Sequence, residues 1–199
     1  MVRVVGSIVV KNEADRYLEK ALSNALSYLD EIFVYDDRSD DESAEIALSL
    51  GCRTVRRPEG KPSFMEHEGE FRQSAWNAFV RVMGLREGDW VFSFDADEFL
   101  VADDGSFEAA VSSALQRNAS GVIIPIPEIF EVNEEGLFAR QDGFWGQIRG
   151  SRLFPFRHFG FFEDKSMGCG SEPTYVRNGY LSNQNYGITL LHQIGRAHV

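Results

Sequence analysis

The sequence predicts an α/β fold: a mostly parallel central sheet with helices on both faces, followed by a smaller mixed or antiparallel region. Three observations predict it. From Arg3 to Leu100, short β-branched or aromatic runs alternate with segments of helical period, which is the pattern of a parallel sheet covered by helices. Two of those runs stop abruptly in carboxylates, at Asp36-Asp37 and at Asp95 and Asp97. After Leu100 the alternation fades into a Gly- and aromatic-rich texture, which reads as antiparallel strands and loops.

Each element has its own signal. Arg3 to Val10 is β-branched and forms the first strand, ended by Lys11-Asn12-Glu13. A helix is expected over about 14–28, because Leu18, Ala21, Leu22, Ala25, Leu26 and Leu29 recur at spacings of three and four. Ile32 to Tyr35 is the second strand, running into Asp36-Asp37-Arg38-Ser39-Asp40-Asp41. A short helix over 43–50 stops at Gly51, and Thr54-Val55 is a third strand. Residues 57–69 hold Pro58, Gly60, Pro62 and Gly69 and form a long loop, a feature usually tied to function in compact domains. A helix over 70–83 leads to the fourth strand, Trp90 to Phe94, with turn signals Gly88 and Asp89 before it. Ser106 to Gln116 is a further helix with Ser106 as its cap, and Val122 to Ile126 a further strand.

Composition sets bounds. The 199 residues, 43% of them apolar, suffice for one domain with a proper core. A net charge of −11, from 31 acidic and 20 basic residues, argues against a nucleic-acid partner. Cys52 and Cys169 lie far apart with no CxxC, so neither a disulfide framework nor a zinc site is implied, and a reducing, cytoplasmic location fits. The amino terminus carries no secretion signal, and no run approaches the length of an integral membrane segment. Ile194-Gly-Arg-Ala-His-Val199 matches one reading frame of a common sequencing adapter. The natural sequence is therefore expected to depart near Gln193 and to continue in a longer gene.

The chemistry centres on Trp90-Val-Phe-Ser-Phe-Asp-Ala-Asp-Glu-Phe-Leu100. In a strand, side chains i and i+2 share a side, so Asp95 and Asp97 are expected to point together into the crevice at the strand's carboxyl end. Ligands bind in that crevice in open α/β sheets. Two such carboxylates repel unless a cation sits between them, and a hard divalent ion bridging to phosphate oxygens satisfies both. The alternative is a strand that runs into a solvated acidic turn.

Three motifs in order, Val10-Lys11-Asn12-Glu13, Asp36-Asp37-Arg38-Ser39-Asp40 and Asp95-Ala96-Asp97-Glu98-Phe99, resemble the amino-terminal half of family 2 glycosyltransferases with the Rossmann-like GT-A fold. The likeness covers residues 3–100 well. It continues more loosely through Arg152-Leu-Phe154, Ser171-Glu172-Pro173 and Leu190-Leu-His192. It implies a single catalytic domain, with residues 1–100 as the nucleotide-sugar half and 101–193 as the acceptor side. By the resemblance, Val9, Lys11, Asn12 and Glu13 line the nucleotide pocket. Asp37, with Asp36 beside it, accepts a hydrogen bond from the base, and Asp95 sits near the ribose. Asp97 binds Mn²⁺ or Mg²⁺ across the diphosphate, with Asp95 close enough to share it. Arg72 resembles the arginine of the helix before the acidic strand and would reach a phosphate, or is simply a surface helix arginine. A lone histidine such as His192 is more often structural, but in this family a histidine near the domain's end completes the metal site.

The implied reaction moves a sugar from a nucleotide-sugar donor, UDP-linked, to the hydroxyl of a glycan, lipid-linked or small-molecule acceptor, with inversion. It requires a base to deprotonate that hydroxyl. The candidates are Glu172, Asp164, Glu163 and Glu128, with Glu172 preferred on the resemblance and Asp164 next. Trp145 and the aromatics of 154–162 are acceptor-surface residues or core. The rival readings are a phosphotransferase of the haloacid dehalogenase type, which Glu98-Phe99 after the second Asp disfavours, a nucleotidyltransferase, and a catalytically inactive nucleotide-sugar-binding domain. A nucleotidyltransferase would show a Gly-rich loop after strand one, which Val9-Val10-Lys11-Asn12 lacks.

Overall fold

The computed structural model describes residues 2–133, 136–139, 149–158, 160–162 and 172–193. The elements run β1 (Val4–Val10), α1 (Leu18–Ala25), β2 (Glu31–Asp36), α2 (Ser43–Ser49), β3 (Arg53–Arg56), α3 (Glu68–Met83) and β4 (Trp90–Ser93). There follow β5 (Glu98–Ala102), α4 (Ser106–Gln116), β6 (Gly121–Pro125), β7 (Glu128–Asn133), β8 (Gly136–Ala139), β9 (Arg149–Pro155), α5 (Thr174–Arg177), β10 (Leu181–Ser182) and β11 (Ile188–Gln193).

The chain adopts the α/β architecture its pattern predicts. A seven-stranded sheet has the order β10-β6-β9-β4-β1-β2-β3. Pairings β1–β2, β1–β4, β2–β3 and β6–β10 are parallel, whereas β9 runs antiparallel to both β4 and β6. A second sheet, ordered β5-β11-β7-β8, is mixed.

Period-two alternation splits β1 between two cores. Val4, Ile8 and Val10 face one layer with Leu18 and Leu22 of α1, Ala47 of α2 and Val111 of α4. Val5 faces the other with Phe71 and Phe79 of α3 and Val176 of α5. Helices therefore cover both faces. Burying each of Phe33, Phe79 and Phe92 to 1% exposure or less stabilises the sheet by about 1.5–3 kcal/mol relative to leaving it in water. Gly6 is required by close approach, since a Cβ there would lie 2.9 Å from Leu29 Cδ1 and 3.2 Å from Phe94 Cε1.

Three expectations need correction. The first helix begins at Leu18 rather than near Ala14. The amide of Glu13 is taken by Ser43 Oγ (2.8 Å) and that of Ala14 by Asp41 Oδ2 (3.0 Å), which ties this stretch to the loop after β2 instead of letting it wind into helix. The cap of α4 is Gly105 in the left-handed region (φ 76°), and Ser106 is its first helical residue. The acidic motif does not continue the fourth strand. β4 ends at Ser93, residues 96–97 form a turn, and β5 begins at Glu98 in the other sheet. Strand periodicity therefore does not set the direction of Asp95 and Asp97.

β5 is the outer strand of its sheet, and an outer strand leaves main-chain groups unpaired. Asn24 of α1 supplies the missing partners. Its Oδ1 accepts from Leu100 N (2.7 Å), and its Nδ2 donates to Leu100 O (3.0 Å). Among the described residues no helix is long and apolar enough to cross a membrane.

Candidate active site

The loops after β1 and β2 are stitched together at the carboxyl end of the large sheet. Asn12 N donates to Ser39 Oγ (3.0 Å), and Asn12 Oδ1 accepts from Asp40 N (2.8 Å). Lys11 Nζ donates to the carbonyls of Asp37 (2.9 Å) and Arg38 (3.0 Å). Asn12 and Arg38 both hold positive φ, 54° and 57°. Such backbone costs about 1–3 kcal/mol per residue and persists where its surroundings over-determine it. Here the cross-loop hydrogen bonds do so.

Below these loops lies a cavity of about 690 Å³. Its polar rim includes Lys11, Glu13, Asp37, Arg57, Arg72 and Asp95, with Val9 and Val10 from β1. Phe64, Trp76, Phe154 and Phe162 form its apolar wall. The loop between β3 and α3 closes one side and is anchored on Asp37. Arg57 Nε donates to Asp37 Oδ1, Phe64 N donates to Asp37 Oδ2 (3.2 Å), and Arg57 Nη1 donates to Lys61 O. Arg72 lies over the Phe64 ring, 5.1 Å from its centroid, and its Nε is held by Glu68 Oε1 at 2.7 Å.

The acidic turn sits beside this cavity and distributes its carboxylates between two sheets. Asp95 Oδ2 accepts from Arg152 Nη2 of β9 at 3.0 Å, and Glu98 Oε1 accepts from the same nitrogen at 2.6 Å. Glu98 Oε2 accepts from Asp95 N (2.8 Å). Asp97 Oδ2 lies 3.4 Å from His192 Nε2, on β11. Burial, then the charge of Asp95, pushes the Glu98 carboxyl above the usual carboxylate range, even against Arg152. Burial also raises Asp97, but the hydrogen bond and charge of His192 outweigh it and leave this carboxyl below its ordinary value. The Asp97 hydrogen bond in turn raises His192, against the opposing effect of burial. Glu13 is raised by burial and then by Asp97, with Arg16 opposing.

The structure brings most of the sequence-derived residues to this end of the sheet but divides them by surroundings. Val9, Lys11, Glu13, Asp37, Arg72 and Asp95 line the cavity. Asn12 serves the loop junction. Asp36 is fully buried beneath it; its Oδ1 accepts from Ser39 N (3.0 Å), and its Oδ2 lies 3.5 Å from Arg56 Nε without hydrogen-bond geometry. Glu172 lies 3.8 Å from Arg177 Nε, and its charge acts on Arg152. Asp164, Glu163, Trp145 and the six-residue tail lie outside the described residues, as does the side chain of Glu128. Phe154 and Phe156 are buried core aromatics, with Phe154 also facing the cavity.

Sequence reasoning missed Arg57 and left Arg152 without a role. Each is a cation whose carboxylate partners are distant in sequence. The available signals were the long loop that Arg57 opens and an arginine directly before the apolar Leu153-Phe154, since a buried charge demands a partner.

Among the described residues no three His, Cys, Asp or Glu side chains converge on one point. Asp97 and His192 do present a carboxylate oxygen and an imidazole nitrogen side by side, a donor pair that suits Mn²⁺ and can serve Mg²⁺. That pair could hold a divalent ion, with other oxygens completing its shell.

A family model described as glycosyl transferase family 2 matches residues 7–178. An uncharacterized glycosyltransferase of Rickettsia bellii (strain RML369-C) is 31% identical over 102 residues, covering 49% of this chain and 29% of the relative. Its counterpart in Rickettsia felis (strain ATCC VR-1525 / URRWXCal2) is 30% identical over 104 residues, covering 50% and 30%. The chain thus spans about 30% of the length of the curated relatives it matches. Among solved structures, glucosyl-3-phosphoglycerate synthase from Mycobacterium tuberculosis, crystallised with Mn²⁺, UDP and glucosyl-3-phosphoglycerate, aligns with a TM-score of 0.40 at 18% identity, over 65% of this chain and 44% of that one. TarS from S. aureus aligns with a TM-score of 0.42 at 16% identity, over 66% and 22%. With 172 of its 199 residues inside the family match, the chain belongs to glycosyl transferase family 2.

Proposed function

We propose that the protein transfers a sugar from a nucleotide-sugar donor, UDP-linked, to an acceptor hydroxyl, with inversion and with a divalent ion, Mn²⁺ or Mg²⁺. One observation carries this reading: the cavity at the carboxyl ends of β1, β2 and β4 is rimmed by Lys11, Glu13, Asp37, Arg72 and Asp95, and the Asp97–His192 pair stands at the adjacent turn. Val9, Lys11, Glu13 and Asp37 hold the nucleoside, with Asn12 and Asp36 bracing the loops behind them. Asp95 orients the ribose, and Arg72 meets a phosphate. Asp97 and His192 hold the ion, with Asp95 nearby. When bound, the ion neutralises charge on the leaving diphosphate without a proton transfer.

Glu172 is the proposed base, with Asp164 as the next choice. It takes the acceptor hydroxyl proton as the acceptor oxygen bonds to the anomeric carbon and the bond from that carbon to the phosphate oxygen breaks. The leaving group is the nucleoside diphosphate. A glycan, a lipid-linked sugar or a small molecule serves as acceptor. The buried free thiol of Cys52 fits a reducing compartment, and the cytoplasm is the proposed location.

The test is a thermal-shift and donor-hydrolysis screen of nucleotide sugars with and without Mn²⁺. A ligand that binds the folded state raises apparent stability. Stabilisation by a nucleoside diphosphate only in the presence of metal, and donor hydrolysis lost in Asp97→Ala, are the expected outcomes. Undiminished hydrolysis by Asp97→Ala would refute the assignment, and metal-dependent binding with no turnover would mark a binding domain.

A further inference from the structure

We propose that Arg152 is a positioning residue that withholds Asp95 from the metal, leaving Asp97 and His192 as the protein's own metal-binding pair; this rests on the function proposed above. The first observation is a register slip. Val122 of β6 pairs with Leu153 of β9, but Ile123 pairs with Ser151, so Arg152 is the extra residue of a β-bulge. A bulge re-aims a side chain and bends its strand, and bulges are over-represented next to active sites. Here the side chain at the bulge is a guanidinium that reaches the acidic turn after β4.

The second observation is how that guanidinium is shared. Its side chain is 11% exposed and contacts Glu98, at 2% exposure, and Asp95, at 60%. A buried cation requires a buried counter-charge; Glu98 is the buried carboxylate in contact with it, and the charge of Glu172 adds to it. The contact to Asp95 is not required for burial, because a carboxylate that exposed is satisfied by water. What the contact does is fix Asp95. One nitrogen bridges Asp95 Oδ2 and Glu98 Oε1, and Glu98 Oε2 closes the ring by accepting from Asp95 N. Asp95 is thereby turned toward β9, while Asp97 is turned toward His192 on β11. The absence of any three converging ligands among the described residues follows from this division. A cation placed beside Asp95 would meet Arg152 at hydrogen-bond distance from the same oxygen.

The test measures Mn²⁺ binding to the full chain by electron paramagnetic resonance, without nucleotide, in the wild type, Arg152→Met and the double variant Arg152→Met/Asp95→Asn. Removing the guanidinium deletes a repelling charge and frees a carboxylate, so Arg152→Met should bind Mn²⁺ about ten-fold more tightly. Adding Asp95→Asn should return affinity toward the wild-type value. Affinity for UDP at saturating Mn²⁺ should move the other way, falling in Arg152→Met as Asp95 loses its orientation. A residue that merely supports the fold would weaken both. Should Arg152→Met misfold because Glu98 is left alone, Arg152→Met/Glu98→Gln carries the same comparison. Unchanged or weaker Mn²⁺ binding in the folded variant overturns the proposal. If Mn²⁺ binding shifts as expected but none of the three proteins binds or hydrolyses any nucleotide sugar, the functional reading fails while the role of Arg152 stands.

Discussion

Replacing Arg57 with Met tests whether the loop between β3 and α3 is locked to the rest of the site through one carboxylate. The Arg57 and Asp37 side chains are 11% and 3% exposed, so the pair lies in the regime where removing one partner strands a buried charge. That costs about 3–5 kcal/mol. Phe64 N still donates to Asp37 Oδ2 in the variant, which favours the lower end, about 3 kcal/mol. For a chain of this size the melting temperature should fall by roughly 6–12 °C. Urea unfolding followed by tryptophan fluorescence reads the free energy directly. The decisive comparison is the cycle with Asp37→Asn. An asparagine at 37 carries no charge to strand, so the double variant should lose less than the sum of the singles, by at least about 1 kcal/mol. A loss below about 1 kcal/mol for Arg57→Met, or additivity within about 0.5 kcal/mol, would show that the loop is held by something other than this pair.

Three further outcomes are expected. Asn24→Ala removes both side-chain bonds to the main chain of Leu100, and should cost about 2 kcal/mol and lower the melting temperature by roughly 4–8 °C; a shift under about 1 °C would mean the strand edge is satisfied by water. His192 titrates above its ordinary value because of Asp97, so in metal-free buffer the pairing is fully present below the unfolded value of about 6.5 and is lost as pH rises through the folded one. His192→Gln should therefore flatten the decline of melting temperature between pH 6 and 8.5 in EDTA, and an unchanged slope would sink that account. Asp97→Ala should abolish metal-dependent donor hydrolysis, as measured by release of nucleoside diphosphate.

The large sheet was legible because its signals are local. Apolar runs of strand length end in Lys11-Asn12-Glu13, in Asp36-Asp37 and near Asp95, and helical period fills the intervals. The helix at Ser106–Gln116 was legible from the apolar spacing of Phe107, Ala110, Val111 and Ala114, all of them buried. Its cap was misplaced by one position, because a serine is a common cap and only the left-handed backbone of Gly105 shows which residue turns the chain. The acidic motif was misread for a different reason. Trp90 to Leu100 reads as one apolar run ending in carboxylates, yet it belongs to two strands in two sheets. What separates them is the pairing of Leu100 with Leu190 and of Glu98 with His192, contacts some ninety residues apart that no local pattern carries. Arg57 and Arg152 were opaque on the same ground. A buried charge requires a partner, but the sequence around it does not say where that partner lies.

The break in the acidic stretch also explains how one short motif can do two jobs. Had Asp95, Asp97 and Glu98 continued β4, alternation would have set Asp95 and Asp97 on one side and buried the charge of Glu98 on the other, with the repulsion of the first two left to an ion. Instead the chain crosses between sheets at Asp95–Asp97, and each carboxylate is matched to a cationic or titratable partner from a different one: Asp95 and Glu98 to Arg152 of β9, Asp97 to His192 of β11. Local compensation lowers the cost of holding three acids together before any ligand arrives. It also makes the geometry of the site depend on how the two sheets are joined. The β5–β11 pairing and the Asn24 clip are therefore parts of the acidic site's support, although Asn24 touches none of its carboxylates. A substitution there should disturb Asp97–His192, because His192 lies on β11 opposite Glu98, the first residue of the strand that Asn24 restrains.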